Sequence, residues 1–341
     1  MSTKLGPHII KPSDSALRWA KRAPIVKCLD DTKGLWEAPG GSIRIFRKFF
    51  PNQDIAVHGS VVVQQVLGAL GNAPATHIEL YNECAQRLGQ GLERHVEMTR
   101  EAVQYLREVR PDLTIVGFSF STGNPEPEDW WYLQKHGFGE VSLISLHQYW
   151  GNEGFSVWNA CRHRMVHGWL DGDHPPMIIT ECGRDRVEGG KGGWKLDGIP
   201  EEQYLAELRA YDQQIKDDLY ILGATPFTSG PTPDWGNFSM DEISARMEGG
   251  EPPVAWTPQE AMDRISQELT GQGWNEGTAL AKAFVDYPGV FGVSLTTEIS
   301  SPDWPFVLMI GSKLGAAYRK SDGKVLTFEV TPNGIANIPL V

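Results

Sequence analysis

Two glutamates carry the residue types and settings that could do chemistry together. Glu83 closes the stretch Thr76-His-Ile-Glu-Leu-Tyr-Asn-Glu83, which reads as a buried strand finishing on an Asn-Glu pair. Glu181 closes Pro176-Met-Ile-Ile-Thr-Glu181, a second short apolar run that breaks at Gly183. Hydrolysis of a glycosidic bond needs such a pair: one protonated carboxylic acid to give a proton to the leaving oxygen, and one ionised carboxylate to attack or to activate water. One strand places one of them rigidly, so placing both takes two strands.

The surrounding chain must therefore build a sheet large enough to hold both. At 341 residues and 40% hydrophobic, it can bury one large core and still supply a small second unit. Lys and Arg total 31 against 43 Asp and Glu, a net charge of -12, with no basic cluster long enough to follow a phosphate backbone, so nucleic acid is not an expected partner. The longest apolar runs are too short to cross a bilayer, and no membrane association is expected. Met1-Ser-Thr-Lys-Leu-Gly-Pro lacks the apolar core of a signal peptide. Cys28, Cys84, Cys161 and Cys182 show no Cys-x-x-Cys spacing and read as reduced, small buried residues rather than zinc ligands or disulfides. These features fit a cytoplasmic protein, or equally a mature secreted fragment.

Taken in order, short apolar runs alternate with longer amphipathic segments. Strands are expected at His8–Lys11, Ile25–Asp30, Ser42–Arg47, the run ending at Glu83, Leu113–Ser119, Val141–Tyr149, Met177–Glu181 and Tyr220–Phe227. Between them, Asp14–Arg22 follows a cap at Ser13 or Asp14, Val61–Leu70 has helical spacing, and Leu92–Val109 puts Leu92, Val96, Val103 and Leu106 on one face. Glu201–Leu219 does the same with Tyr204, Leu205, Leu208, Tyr211 and Ile215. This alternation specifies an α/β fold, and its length with no Gly-x-Gly-x-x-Gly after any strand favours a (β/α)8 barrel over an open doubly wound sheet. Barrel active sites lie where the strands end. Arg44, Asn82, Glu83, His147, Tyr149 and Glu181 all fall at or near such ends in this reading.

An Asn-Glu ending strand four, His147-Gln-Tyr149 ending strand six and Thr180-Glu-Cys-Gly183 ending strand seven resemble the retaining β-glycosidases of the cellulase-like glycoside hydrolase clan A. The resemblance covers about Gly6 to Met247. It implies a TIM barrel acting on a carbohydrate substrate by double displacement without a cofactor or metal, with Glu83 as general acid/base and Glu181 as nucleophile. Asn82 would donate a hydrogen bond to the sugar 2-hydroxyl, Tyr149 would hold the nucleophile, and His147 would contact the acid/base or a sugar hydroxyl. Tyr149, with a cation such as Arg44, would keep Glu181 ionised, and the carboxyl groups would stand about 5 to 5.5 Å apart. Cys84 stands where relatives often carry proline, and Phe227 or Trp235 would replace the usual aromatic platform after strand eight.

Plainer readings stand beside these. Each glutamate alone fits a solvated loop carboxylate, and His147 alone fits a hydrogen-bonded core histidine. Glu79 falls on the same strand face as Glu83 by period two and reads as a structural ion-pair partner for Lys27 or Arg44. Among the tryptophans in loops, Trp150 and Trp235 are the candidate sugar platforms. The glycine-rich loop Val187–Trp194 either closes over a sugar or is a surface excursion. Residues 1–248 form the expected catalytic barrel and 249–341 an accessory α+β or β-rich module, with a linker at Glu248–Pro253, a helix from Pro258 to Leu269, and a hairpin turn at Lys320–Lys324 flanked by Phe306–Ile310 and Val325–Val330. The alternative to an enzyme is a catalytically weak barrel that binds carbohydrate or protein as a phage or surface component. Sugar identity, exo or endo action and oligomeric state are not encoded in any readable pattern.

Overall fold

Runs of branched and apolar residues form the strands, and the amphipathic segments between them form helices that cover the strands from outside. The elements in order are β1 (His8–Ile9), α1 (Asp14–Ala20), β2 (Ile25–Leu29), α2 (Lys33–Glu37), β3 (Ile43–Arg47), α3 (Gly59–Leu70), β4 (His77–Glu79) and α4 (Leu92–Val109). Then come β5 (Thr114–Phe120), α5 (Pro127–His136), β6 (Leu143–Trp150), α6 (Arg162–Trp169), β7 (Met177–Arg184), α7 (Glu201–Lys216), β8 (Ile221–Pro226), a 3-10 turn (Pro233–Phe238) and α8 (Asp241–Met247). This computed structural model describes residues 3–185 and 192–247, and beyond them only the strands β9 (Thr297–Ile299), β10 (Phe306–Ile310), β11 (Leu314–Arg319), β12 (Val325–Thr331) and β13 (Gly334–Ala336).

Strands β1 to β8 make one sheet in chain order, each parallel to the next. Parallel bridges Leu5–Ala224 and Ile9–Ser229 close the seam, where Gly6 N–H donates to the Ala224 carbonyl at 3.0 Å and Ser229 N–H to that of His8 at 2.7 Å. The result is the (β/α)8 TIM barrel that the alternation predicts. Ser13 caps α1 by accepting from Ala16 N–H at 3.2 Å, and the α4 and α7 faces named from sequence are buried. Each fully buried Leu or Val there stabilises the fold by about 1.5–3 kcal/mol.

Alternation along the strands sorts side chains into two cores. The larger one lies between the barrel wall and the helices. Inside the barrel, Ile25, Ile45, Val116, Leu143 and Ile178 form an apolar floor, packed by Ile43 and Leu222. Lys27, Arg47, Glu79 and Ser145 follow on the same inward faces, so polar groups sit on top of a dry floor.

Strand β4 was expected to run to Glu83 and ends at Glu79. The backbone beyond it is bound elsewhere: Gln53 takes both the N–H and the carbonyl of Asn82, and Glu83 N–H donates to the Ser119 carbonyl at 2.9 Å.

The chain divides into two compact units, Ser2–Pro253 and Val254–Val341 with Met1. The described strands of the second form an antiparallel sheet in the order β13-β12-β11-β10-β9. The partner of β12 is β11, not Phe306–Ile310, which pairs on the far side of β11; its Gly-Ala-Ala run hid it from a hydrophobic pattern. The linker, the Pro258–Leu269 helix and the Lys320–Lys324 turn lie outside the described residues.

Gly6, just before β1, lies against the start of β2: a Cβ there would stand 1.7 Å from the Ile25 carbonyl oxygen. Gly68, inside α3, has open space around it. Gly6→Ala should therefore lower stability by at least about 2 kcal/mol, and Gly68→Ala should raise it by about 0.5–1 kcal/mol. Urea unfolding midpoints of the two variants read both signs.

Candidate active site

A register shift positions the first carboxylate. Strand β7 pairs Ile179 with Leu146 and then Glu181 with His147, which leaves Thr180 as an extra residue between them. Such a bulge re-aims the side chains around it. Consecutive residues now both reach the interior: Thr180 Oγ1 donates to Glu79 Oε1 at 2.8 Å, while Glu181 Oε1 receives Lys27 Nζ at 3.2 Å and Arg47 Nη1 at 3.0 Å.

Glu181 is 6% exposed, and its other oxygen, Oε2, accepts from Tyr149 Oη at 3.0 Å. Burial alone would raise its pKa. His147, Lys27, Arg47 and His8 outweigh that and hold the carboxyl well below the usual range. The same burial, with Glu181 beside it, pushes the Tyr149 phenol well up, so it stays a hydrogen-bond donor.

The second carboxylate arrives on a loop. Glu83 takes a left-handed backbone (φ 51°), pinned by its N–H on Ser119, and its side chain is 35% exposed. His147 Nδ1 lies 2.6 Å from Glu83 Oε1 and 3.6 Å from Glu181 Oε2. These two oxygens are thus no farther apart than the sum of those distances. Asn82 joins them, its side-chain oxygen accepting from Arg47 Nη1.

Other expected residues fall elsewhere. Arg44 was to be the cation beside Glu181, but Arg47 holds that place. Residues three apart on a strand point to opposite faces, and Arg44 pairs with Val26 in the outward row, its N–H donating to Thr76 Oγ1 at 2.9 Å. Trp150 was a candidate sugar platform, yet it is 1% exposed, packs on Phe155 and Tyr211, and donates its indole N–H to Glu207 at 3.0 Å. Trp235 is 39% exposed and stands edge-on to Phe227 and Phe238, the latter 6.3 Å from Tyr149. Of the loop Val187–Trp194, residues 187–191 lie outside the described residues; Trp194 is buried, stacked on Tyr204.

Arg47, Gln53 and His8 were missed. Arg47 shares the face of Ile43 and Ile45 at period two, but Phe46 makes the Arg44 face apolar too, so the sequence does not say which face turns inward. Gln53 clamps the Asn82 backbone from a loop far off in sequence, and nothing local marks it. Glu79 does pair with Lys27, at 2.7 Å, and its second cation is Arg47, at 3.6 Å, in place of Arg44.

The chain matches no protein-family model and no curated protein. It is similar in structure to an endo-beta-1,3-glucanase from Amycolatopsis mediterranei in complex with laminaritriose, with 15% identity over 72% of this chain and 100% of that one, at a TM-score of 0.48. It is also similar to a glucosidase from Croceicoccus marinus (13% identity, 99% and 76% covered, TM-score 0.49). A third is Bacteroides uniformis beta-glucuronidase 2 covalently bound to cyclophellitol-6-carboxylate aziridine (12% identity, 99% and 42% covered, TM-score 0.49).

Stability should fall with acid in two stages. Burial depresses His8 well below its ordinary value and lowers His77 and His95 to about 4, so the unfolded chain takes up protons on them first as pH falls below 6.5. Glu181 and Glu79 are depressed from 4.5, Glu79 because Lys27, Arg47 and His147 outweigh its burial. Their contribution is present above that value and is lost as pH falls through the folded values. Urea midpoints measured from pH 7 to 3 should decline gently below pH 6.5 and steeply below 4.5; a flat profile would contradict both assignments.

Proposed function

We propose that this chain is a retaining glycoside hydrolase acting on a β-linked glycan or glycoside, with Glu83 as general acid/base and Glu181 as nucleophile. The observation that carries the reading is the convergence of these carboxylates, one from the loop after β4 and one from β7, on the single nitrogen Nδ1 of His147. The ionised, cation-held Glu181 suits attack on the anomeric carbon. In the first step Glu83 gives its proton to the glycosidic oxygen, the bond from that oxygen to the anomeric carbon breaks, and a Glu181 oxygen bonds to the carbon. In the second, Glu83 takes a proton from water, the water oxygen attacks the same carbon, and the ester to Glu181 is released. Asn82 shares Arg47 Nη1 with Glu181 and would donate its side-chain amide to the sugar 2-hydroxyl, and Trp235 offers a partly exposed ring to an apolar sugar face.

The test is hydrolysis of a panel of aryl β-glycosides and β-linked oligosaccharides, with proton NMR of the first-formed anomer. A β-anomer is expected first; an α-anomer would overturn retention. Glu181→Gln should lose more than about a thousandfold in kcat. Glu83→Gln should lose about 10²–10⁴-fold on oligosaccharides, and far less in kcat/KM on a dinitrophenyl glycoside, whose leaving group needs no proton in the first step. Wild-type turnover surviving in Glu181→Gln would overturn Glu181 as nucleophile, and a folded wild-type chain silent across the panel would dismiss the enzyme reading.

A further inference from the structure

Lys27 reaches into the barrel from β2 with no exposed surface. Burying an ammonium costs several kcal/mol unless its partners are fixed in place. Its first partner is fixed unusually well. Glu79 Oε1 accepts from Ser119 Oγ of β5 at 2.5 Å, Ser145 Oγ of β6 at 3.1 Å and Thr180 Oγ1 of β7 at 2.8 Å. Its Oε2 faces Lys27 at 2.7 Å, with Arg47 farther off at 3.6 Å.

From that anchor the same ammonium lies 3.2 Å from Glu181 Oε1. The two oxygens of Glu181 therefore differ. Oε1 faces Lys27 and Arg47, and Oε2 faces Tyr149 and the His147 nitrogen that also touches Glu83.

We infer that Glu79 and Lys27 form a positioning pair for Glu181: Glu79 anchors the lysine, and the lysine ties down Oε1, keeping the carboxylate ionised with Oε2 turned toward Glu83. The inference rests on the nucleophile role proposed for Glu181. The titratable groups facing Glu181 are His8 from β1, Lys27 from β2, Arg47 from β3, Glu79 from β4, Glu83 after it, and His147 and Tyr149 from β6. Arg47 also touches both carboxylates, and Lys27 is set apart from it by the closer contact to Glu79, 2.7 Å against 3.6 Å, on a carboxylate that three hydroxyls immobilise.

The experiment is a carbon-13 NMR titration of the glutamate side-chain carboxyls in the full chain, the Glu181 signal being assigned by its loss in Glu181→Gln. In the wild type and in Lys27→Arg, Glu181 should stay ionised to the lowest pH at which the protein is folded. In Lys27→Gln it should titrate about 1–3 units higher, the size of effect that one adjacent opposite charge exerts. Should that variant fail to fold, the double variant Lys27→Gln/Glu79→Gln removes the buried pair together; it should show a smaller rise, because the lysine is the nearer charge. On a hydrolysed substrate the acid limb of kcat/KM should move up with Lys27→Gln and return with Lys27→Arg. An unmoved Glu181 titration in a folded Lys27→Gln or double variant would overturn the inference and leave Lys27 as structural filling. Because the titration needs no turnover, absence of hydrolysis by the wild type would count against the proposed function alone.

Discussion

Four ionisable side chains from four strands, Lys27, Arg47, Glu79 and Glu181, meet inside the barrel with almost no access to water. Taking any one of them out of water costs several kcal/mol, and no single partner offsets that. Together they alternate in sign, and hydroxyls of Ser119, Ser145 and Thr180 satisfy the remaining lone pairs of Glu79 Oε1. The arrangement exists only when the barrel is closed, because its members sit on β2, β3, β4 and β7. The apolar floor beneath it, from Ile25 to Ile178, keeps water from reaching the cluster from the other end. Low dielectric then strengthens each contact above it.

The proposed chemistry draws on the asymmetry this creates. Glu181 is locked at both oxygens, while Glu83 stands on a loop with about a third of its side chain open to solvent. A nucleophile gains from a fixed position, since a small misplacement of reacting atoms is expensive in rate. An acid/base must exchange protons with water between the two half-reactions, and an open loop position permits that. His147 links the two, and Thr122 steadies this strand end by accepting from Tyr149 N–H and donating to the His147 carbonyl.

Much of this was legible in the sequence because it depends on local periodicity. The alternation of strand and helix patterns determined the eight-stranded barrel, since amphipathic segments of those lengths bury both their faces in few other ways. Helix α4 fell where its apolar spacing placed it, and the Asn-Glu pair, His147-Gln-Tyr149 and Glu181 all come to the same end of the barrel. Period two also placed Glu79 inside, next to Lys27.

Tertiary structure decided what depends on phase, register and distant partners. Arg47 rather than Arg44 meets Glu181 because inward and outward rows are distinguished only once neighbouring strands pair, and the two arginines look alike in a charged, apolar run. Trp150 turned away from the site because α7 supplies Tyr211 and Glu207 to receive it, and those residues lie far along the chain. The bulge at Thr180, which brings both Thr180 and Glu181 inside, arises from the register of β7 against β6 and leaves no mark on the residues themselves. Residue types and their spacing settled which groups could react; the pairing of strands settled which of them touch, because a side chain's facing is fixed only by its neighbours across the sheet.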